Sequence, residues 1–260
     1  MHITVNNIRL HVSQQDGNGP ALVFLHYWGG SSRTWRAVID ALPAGYRSLA
    51  PDLRGWGDSD APANNAYALT DFAADVEHLV AALDLKQYVL VGHSMGGKIA
   101  QLLASRRPQG LQGLVLVATA PPTPLALPPE ARAAMESAYN SPESVGMSID
   151  HMLTAKPLSA AQRDQVITDS LRGAPQARVA WPSYTSRKDI SEDVTKIIVP
   201  TIVIAGELDK VDPVAVLQAE VLSRIPQATL RVLPGTGHLS PLESAPELAG
   251  LIADFVASLA

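Results

Sequence analysis

Val89-Leu90-Val91-Gly92-His93-Ser94-Met95-Gly96-Gly97 is the stretch on which the organisation of this chain turns. It opens as a run of Val and Leu, the composition of a strand buried on both faces. It continues into Gly96-Gly97-Lys98-Ile99-Ala100-Gln101-Leu102-Leu103-Ala104, whose apolar spacing and propensities are helical. Between strand and helix, Gly92-His93-Ser94-Met95-Gly96 matches G-x-S-x-G. A serine on so tight a strand-to-helix turn is forced into a strained backbone conformation, and only glycine two residues to either side leaves the chain room to fold back. The strain lifts the Ser94 hydroxyl toward whatever binds at the strand's carboxyl end. The pattern alone is common; a buried strand before it and a helix after it make it informative.

Working outward, the N-terminal side reads as Ile3–Ser13, two short strands about the tight-turn pair Asn6-Asn7. A buried strand, Ala21–Leu25, leads into His26-Tyr27-Trp28-Gly29-Gly30, and Ser31 or Ser32 can cap a helix to about Leu42. Tyr46–Ala50 is another strand, ending in Pro51-Asp52-Leu53-Arg54-Gly55-Trp56-Gly57-Asp58-Ser59. Leu69–Leu83 has helical spacing, with Thr70 or Asp71 as its cap. On the other side, Leu114–Val117 is a strand; later come strand Ile197–Ala205, helix Val214–Ser223, strand Ala228–Val232 and helix Pro246–Leu259. Buried strands alternating with helices predict an α/β protein with a mainly parallel sheet flanked by helices. Ligands of such sheets bind outside the carboxyl ends of the strands.

The rhythm breaks over residues 121–190, which open on Pro121-Pro122, carry Pro124, Pro128 and Pro129, and hold no buried-strand run. We therefore expect residues 1–120 and 191–260 to form one core, with 121–190 inserted as a helical cap over the strand ends. In the cap, Leu125, Leu127, Met135, Met147, Met152, Leu153, Trp181 and Tyr184 are candidates to line an apolar pocket, Trp181 and Tyr184 foremost.

Composition narrows the function. At 260 residues, 47% hydrophobic and 17% charged, the chain can bury a sizeable core. A net charge of −5 with no Lys/Arg cluster argues against a nucleic-acid surface. The absence of cysteine excludes disulfides, thiolate chemistry and cysteine metal sites. The N-terminus lacks a basic-then-apolar signal pattern, and no apolar run approaches the ~18 residues that span a bilayer, so the default expectation is a cytoplasmic protein with no membrane partner.

A neutral serine needs a base, and histidine is the usual one. Of the seven histidines, His2 and His11 lie in the first hairpin, His78 in a helix and His151 in the cap; His26 and His93 flank tight turns. His238 differs: Pro234-Gly235-Thr236-Gly237-His238-Leu239-Ser240-Pro241 is a loop after the last strand, able to bring an imidazole to the sheet's carboxyl edge. The base in turn needs an anion to fix its tautomer. Glu207, Asp209 and Asp212 in the loop after Ile202–Ala205 all qualify. Asp212 precedes Pro213 and reads most simply as a helix cap, Glu207 lies close to the strand end, and Asp209 is preferred. The order nucleophile, acid, base is that of hydrolases with a nucleophile elbow.

With G-H-S-M-G at 92–96, D-L-R-G-W-G-D-S at 52–59, G-E-L-D at 206–209 and G-H at 237–238, the chain resembles the α/β-hydrolase-fold enzymes over nearly its whole length. Within that fold it is most similar to small capped serine esterases and cofactor-free perhydrolases, with lactonases and C–C hydrolases nearby. The resemblance independently implies Ser94, Asp209 and His238 as a catalytic triad. One oxyanion donor is expected to be the Met95 N–H. The other, by the resemblance, is the N–H of Trp28; Tyr27 stands where the family usually has glycine, which leaves the path of that loop open. His26 and Tyr27 join the candidate pocket residues. Asp52, Arg54 and Asp58 read as turn and salt-bridge residues, Trp56 as packing near the pocket mouth, and His93 and Lys98 as supports of the elbow. The expectation is a serine hydrolase cleaving carboxylic esters of small, largely apolar substrates through an acyl-enzyme, without cofactor or metal. Lactone, peracid or C–C chemistry would use the same triad, and a small-molecule receptor on the same fold is the non-enzyme alternative. Oligomeric state is not legible.

Overall fold

The computed structural model describes residues 1–259. Eight strands form one sheet in the order β1-β2-β4-β3-β5-β6-β7-β8: β1 His2–Val5, β2 Ile8–Gln15, β3 Ala21–Leu25, β4 Arg47–Pro51, β5 Tyr88–His93, β6 Leu111–Val117, β7 Thr201–Gly206 and β8 Ala228–Leu233. Strand β2 pairs antiparallel with both β1, its hairpin partner, and β4; from β4 to β8 every pairing is parallel. Asn6 and Asn7 make the hairpin turn with φ of 47° and 61°, a left-handed pair that asparagine tolerates.

Helices α1 (Arg36–Ala41), α2 (Leu69–Ala82) and α3 (Met95–Ser105) follow β3, β4 and β5. Four more, α4 (Pro129–Ser137), α5 (Pro142–Ser148), α6 (Ala160–Arg172) and α7 (Pro175–Ser183), lie between β6 and β7. Helix α8 (Val214–Leu217) follows β7, and α9 (Ser240–Glu243) and α10 (Ala245–Ala257) close the chain.

Strand alternation divides the apolar residues between two layers. Val89 and Val91 of β5 pack with Val38 of α1 and Leu248 and Ile252 of α10. Tyr88 and Leu90 face the other way, toward Leu79 of α2 and Ile99 and Leu103 of α3. Every residue of β3, β5 and β7 is buried, as expected for strands covered on both faces. The chain leaves β3 for β4 on one side and returns to β5 on the other, so the sheet's switch point lies between β3 and β5. The crevice outside such a point is where open α/β sheets bind ligands.

Several boundaries differ from the expected ones. The strand expected over Ile197–Ala205 begins at Thr201. Pro200 has no N–H for the ladder, a 3₁₀ turn occupies Asp193–Lys196, and Ile198 is 65% exposed. The residue at the α2 cap position is Ala68, and Asp71 acts from inside the first turn, accepting the Ala68 N–H at 2.8 Å. Ser31 caps a 3₁₀ turn, Ser32–Trp35, ahead of α1. Beyond α8 the helix expected to Ser223 continues as a wider turn, Gln218–Leu222. Among the described residues no helix is long and apolar enough to cross a membrane.

Candidate active site

Ser94 stands between β5 and α3 with φ 51° and ψ −114°, a left-handed conformation costly for a side chain with a Cβ. Its backbone is fully engaged: the Ser94 N–H donates to the Val117 carbonyl at 3.1 Å, and its carbonyl accepts from Lys98 and Ala120, each at 3.1 Å. The glycines around it are set by close approach. A Cβ on Gly92 would strike the Gly96 carbonyl, one on Gly96 the Leu25 carbonyl, and one on Gly97 the Thr119 side chain. The turn therefore packs backbone against backbone and leaves the Ser94 hydroxyl facing outward.

It faces a cavity of about 390 Å³ whose wall holds Ser94 and His238 together. The His238 Nδ1 lies 2.9 Å from Asp209 Oδ2, with both side chains buried. The other oxygen, Asp209 Oδ1, accepts the N–H groups of Val211 at 2.8 Å and Asp212 at 3.1 Å. Burial alone would push the Asp209 carboxyl up; the facing His238, with the two backbone donors, holds it below the usual carboxylate range. Burial likewise opposes an imidazolium, yet the Asp209 charge and hydrogen bond carry His238 above the ordinary histidine value. With a proton on Nδ1 shared toward Asp209, Nε2 is the nitrogen left to accept one.

The loop carrying His238 is tied down by Glu243, which the sequence does not single out, and by Leu153 and His93, which it does. Glu243 accepts the N–H groups of Ala155, Lys156 and Gly237, and the Leu239 N–H donates to Leu153. His93 places a ring nitrogen 2.8 Å from the His238 carbonyl, and burial, then His238 itself, depresses His93 to about 3, so it stays neutral.

Beside the elbow, Tyr27-Trp28-Gly29-Gly30 forms a tight turn in which the Gly30 N–H donates to the Tyr27 carbonyl at 3.0 Å and Gly29 takes φ 95°. Tyr27 thus does not occupy the position that demands glycine; Gly29 does. The Tyr27 ring packs 5.2 Å from His93, against Gly30, and lines the cavity. Burial raises its hydroxyl pKa well above normal, so it remains a neutral phenol. Trp28 stacks on Tyr139 with centroids 4.0 Å apart, and the Tyr139 hydroxyl donates to the Trp28 carbonyl at 2.9 Å. Among the described residues neither the Trp28 nor the Met95 backbone N–H finds an acceptor.

Not every expected pocket residue reaches the cavity. His26 lies beneath the loop: its Nε2 accepts the Leu53 N–H at 3.0 Å, so Nδ1 carries the proton and donates to the Tyr27 carbonyl at 2.7 Å. It fastens the loop after β3 to the loop after β4 instead of contacting a ligand. Tyr184 is 47% exposed and sits in a separate depression with Leu69, Thr70 and Lys188. Helix α7 ends between Trp181 and Tyr184, so helical spacing does not carry the second ring to the side of the first. Met147 points to solvent, and Trp56 is buried against Gly173 away from the cavity. Trp181, Leu125, Leu127, Met135, Met152 and Leu153 do line the cavity. Tyr139, Lys210, Val211 and Asp212, which carry no pocket signal in the sequence, line it too. Asp212 does not cap α8, whose cap position is Pro213 without a side-chain bond.

Asp52 takes the Ser32 N–H at 2.6 Å, the Asp58 N–H at 2.9 Å and His11 Nδ1 at 2.9 Å; Arg54 grips Asp75 with two bonds of 2.6 Å. His11, Asp52 and Asp58 lie close enough to bracket an ion, but Asp52 is spent on these donors. Lys98 is buried and donates to the Thr123 carbonyl at 2.8 Å and the Ser186 carbonyl at 3.1 Å, with burial lowering it to about 8.

A parallel sheet with a strained serine at its switch point and an Asp–His pair two loops away defines a class of enzyme fold. Residues 20–245 match the family model described as alpha/beta hydrolase fold, and the chain belongs to that hydrolase family. It is 30% identical to a non-heme chloroperoxidase of Streptomyces lividans, over 85% of this chain and 86% of that one. A non-heme chloroperoxidase of Kitasatospora aureofaciens is 29% identical over the same shares. Among solved structures, an esterase from Exiguobacterium antarcticum superposes with a TM-score of 0.88 at 23% identity, covering 97% of both chains.

Proposed function

We propose that the protein is a serine hydrolase of carboxylic esters with small, largely apolar acyl groups. The observation that carries this reading is the apolar cavity whose wall presents Ser94 and His238, with Asp209 on the far nitrogen of the imidazole. In this mechanism His238 Nε2 takes the Ser94 proton as the hydroxyl oxygen attacks the ester carbonyl. Asp209 holds the tautomer that leaves Nε2 free and stabilises the imidazolium. The developing oxyanion is met by the unpaired N–H groups of Met95 and Trp28, each donor of this kind being worth ~2.7–4 kcal/mol. His238 then protonates the leaving alcohol, and water, activated by the same ring, releases the acid. Residues 121–190 act as the cap: Leu125, Met135, Met152 and Trp181 supply the apolar wall that selects the acyl chain.

The test is turnover of p-nitrophenyl esters of graded acyl length, with Ser94→Ala as control. Loss of at least ~10³-fold in kcat with unchanged thermal stability is expected. Undiminished turnover in Ser94→Ala removes the reading, and no labelling of Ser94 by a fluorophosphonate favours a receptor. The two chloroperoxidase relatives support a second reading at the same site, in which hydrogen peroxide replaces water on the acyl-enzyme and the product is a peracid. Peracid formation from a short carboxylic acid and hydrogen peroxide, lost in Ser94→Ala, distinguishes it.

A further inference from the structure

One polar group on the cavity wall has no part in the mechanism above. Asp212 is 3% exposed and lines the cavity among Leu125, Leu153, Trp181 and Val211. Its backbone N–H is used, on Asp209 Oδ1, but its carboxyl makes no hydrogen bond to any described residue. The simplest structural duty for an aspartate before a proline, capping the next helix, is unfilled. A carboxylate buried in apolar surroundings without a donor or a cation is expensive, and such groups are found paired or neutral.

Each charged group around Asp212 is already committed. Asp209, three residues earlier on the same loop, is the ionised partner of His238, and a second carboxylate beside it is opposed by its charge. Lys98, across from the loop on α3, spends its ammonium on the Thr123 and Ser186 carbonyls. Lys210, on the cavity wall, donates to the His151 carbonyl at 3.0 Å. Burial first, with Asp209 adding to it against His238 and Lys98, raises the Asp212 carboxyl to about 8. Burial thus favours the undissociated acid at neutral pH, a hydrogen-bond donor set among the apolar residues of the wall that Ser94, His238 and Lys210 also line.

We propose that Asp212 is the polar anchor of this cavity, donating a hydrogen bond to a second oxygen carried by the substrate, so that the preferred substrates are keto-, hydroxy- or alkoxy-substituted carbonyl compounds and not plain alkyl esters. The kinetic form of this inference rests on the hydrolase reading; the binding form does not. A buried donor built to meet an oxygen penalises the analogue that leaves it unpaired.

The experiment compares matched pairs. Each pair is an alkyl p-nitrophenyl ester and its counterpart with one chain methylene replaced by an ether oxygen, stepped along the chain. Their ratio of kcat/KM is measured in the wild type, in Asp212→Leu, which keeps the shape and removes the donor, and in Asp212→Asn, which keeps a donor. Because both esters see the same variant, the ratio is insensitive to how much protein is folded. At one or more oxygen positions the wild-type ratio is expected to fall roughly 5- to 10-fold in Asp212→Leu and to hold within about 2-fold in Asp212→Asn. In the wild type alone it should also fall as the pH is raised past about 8. Binding of the corresponding methyl ketones, read by quenching of Trp28 and Trp181 fluorescence, reports the same ratio without turnover. It therefore decides on Asp212 even if the ester reading fails. A ratio identical in wild type and Asp212→Leu at every oxygen position overturns the proposal. So does a preference for amine-bearing ligands abolished by Asp212→Asn, which would require the ionised carboxylate.

Discussion

Replacing Asp209 by Asn tests the site more sharply than deleting it. The substitution is isosteric, and the backbone dictates which way the amide turns. Val211 and Asp212 both point N–H groups at the Oδ1 position, so the amide must place its carbonyl oxygen there. The NH₂ group then falls at the Oδ2 position, 2.9 Å from His238 Nδ1. Nδ1 is forced to accept, and the imidazole proton moves to Nε2, the nitrogen that in the proposed mechanism takes the Ser94 proton. Populating the working tautomer would leave two N–H groups facing each other. Loss of the same interaction in a Ser-His-Asp system costs about 10⁴ in kcat, and roughly 5 kcal/mol of transition-state stabilisation corresponds to that factor. We expect a fall of ~10³–10⁴ in kcat with KM changed by less than about 3-fold, since Asp209 does not itself line the cavity and its backbone partners keep an acceptor in the variant. Steady-state ester kinetics beside a thermal melt provide the assay, and proton NMR of the His238 ring reports the tautomer directly. Turnover within about 10-fold of wild type would show that Asp209 does not orient the base, and the proposed relay would have to be abandoned.

Two further outcomes follow from the same geometry. Because Asp209 raises His238, and the reaction needs the neutral ring, kcat/KM should be lost as the pH falls through a value above the ordinary ~6.5; in Asp209→Asn any residual limb should lie lower, and an unmoved limb would contradict the assignment. Gly29→Ala puts a Cβ at φ 95° into the Tyr139 ring; a cost of about 2–3 kcal/mol, or a drop of roughly 4–12 °C in Tm, is expected by calorimetry, and an unchanged Tm would refute the reading of this turn.

How much of this was legible in the sequence depended on the range of the interaction. Strand Ala21–Leu25 and the elbow at Gly92–Gly96 are local patterns, and both lie where the residues place them. The start of β7 was misplaced because Ile197 and Ile198 look like strand residues, and only the pairing with β6 shows that the ladder begins after Pro200. The sequence places His26 among the pocket candidates and Trp56 near the pocket mouth because a ring after a strand can turn either way; contacts with Leu53 and Gly173, distant in sequence, decide it. Tyr139 stood in a helical run with no chemical motif, and its stacking on Trp28 spans more than a hundred residues. Asp212 offered a local explanation, a cap, that concealed its place on the cavity wall. The available cue was the surplus of acids in this loop: Glu207, Asp209 and Asp212, where an acid–base pair requires one.

The buried ammonium of Lys98 has a consequence for how such a chain can change. It grips Thr123 and Ser186 at once, where the backbone of Leu125 also pairs with Ser186 and that of Ile190 with Pro122. The long excursion between these points thus leaves and rejoins the core beside one lysine, and that lysine sits on the helix that begins just after Ser94. Changes within 126–184 that keep Tyr139, Leu153, Ala155 and Lys156, whose contacts reach the Trp28 and His238 loops, can reshape the cavity wall while both its roots stay registered to Ser94. Under the proposed function, selectivity resides in a part of the chain that can vary, and the lysine is the fitting from which that part hangs.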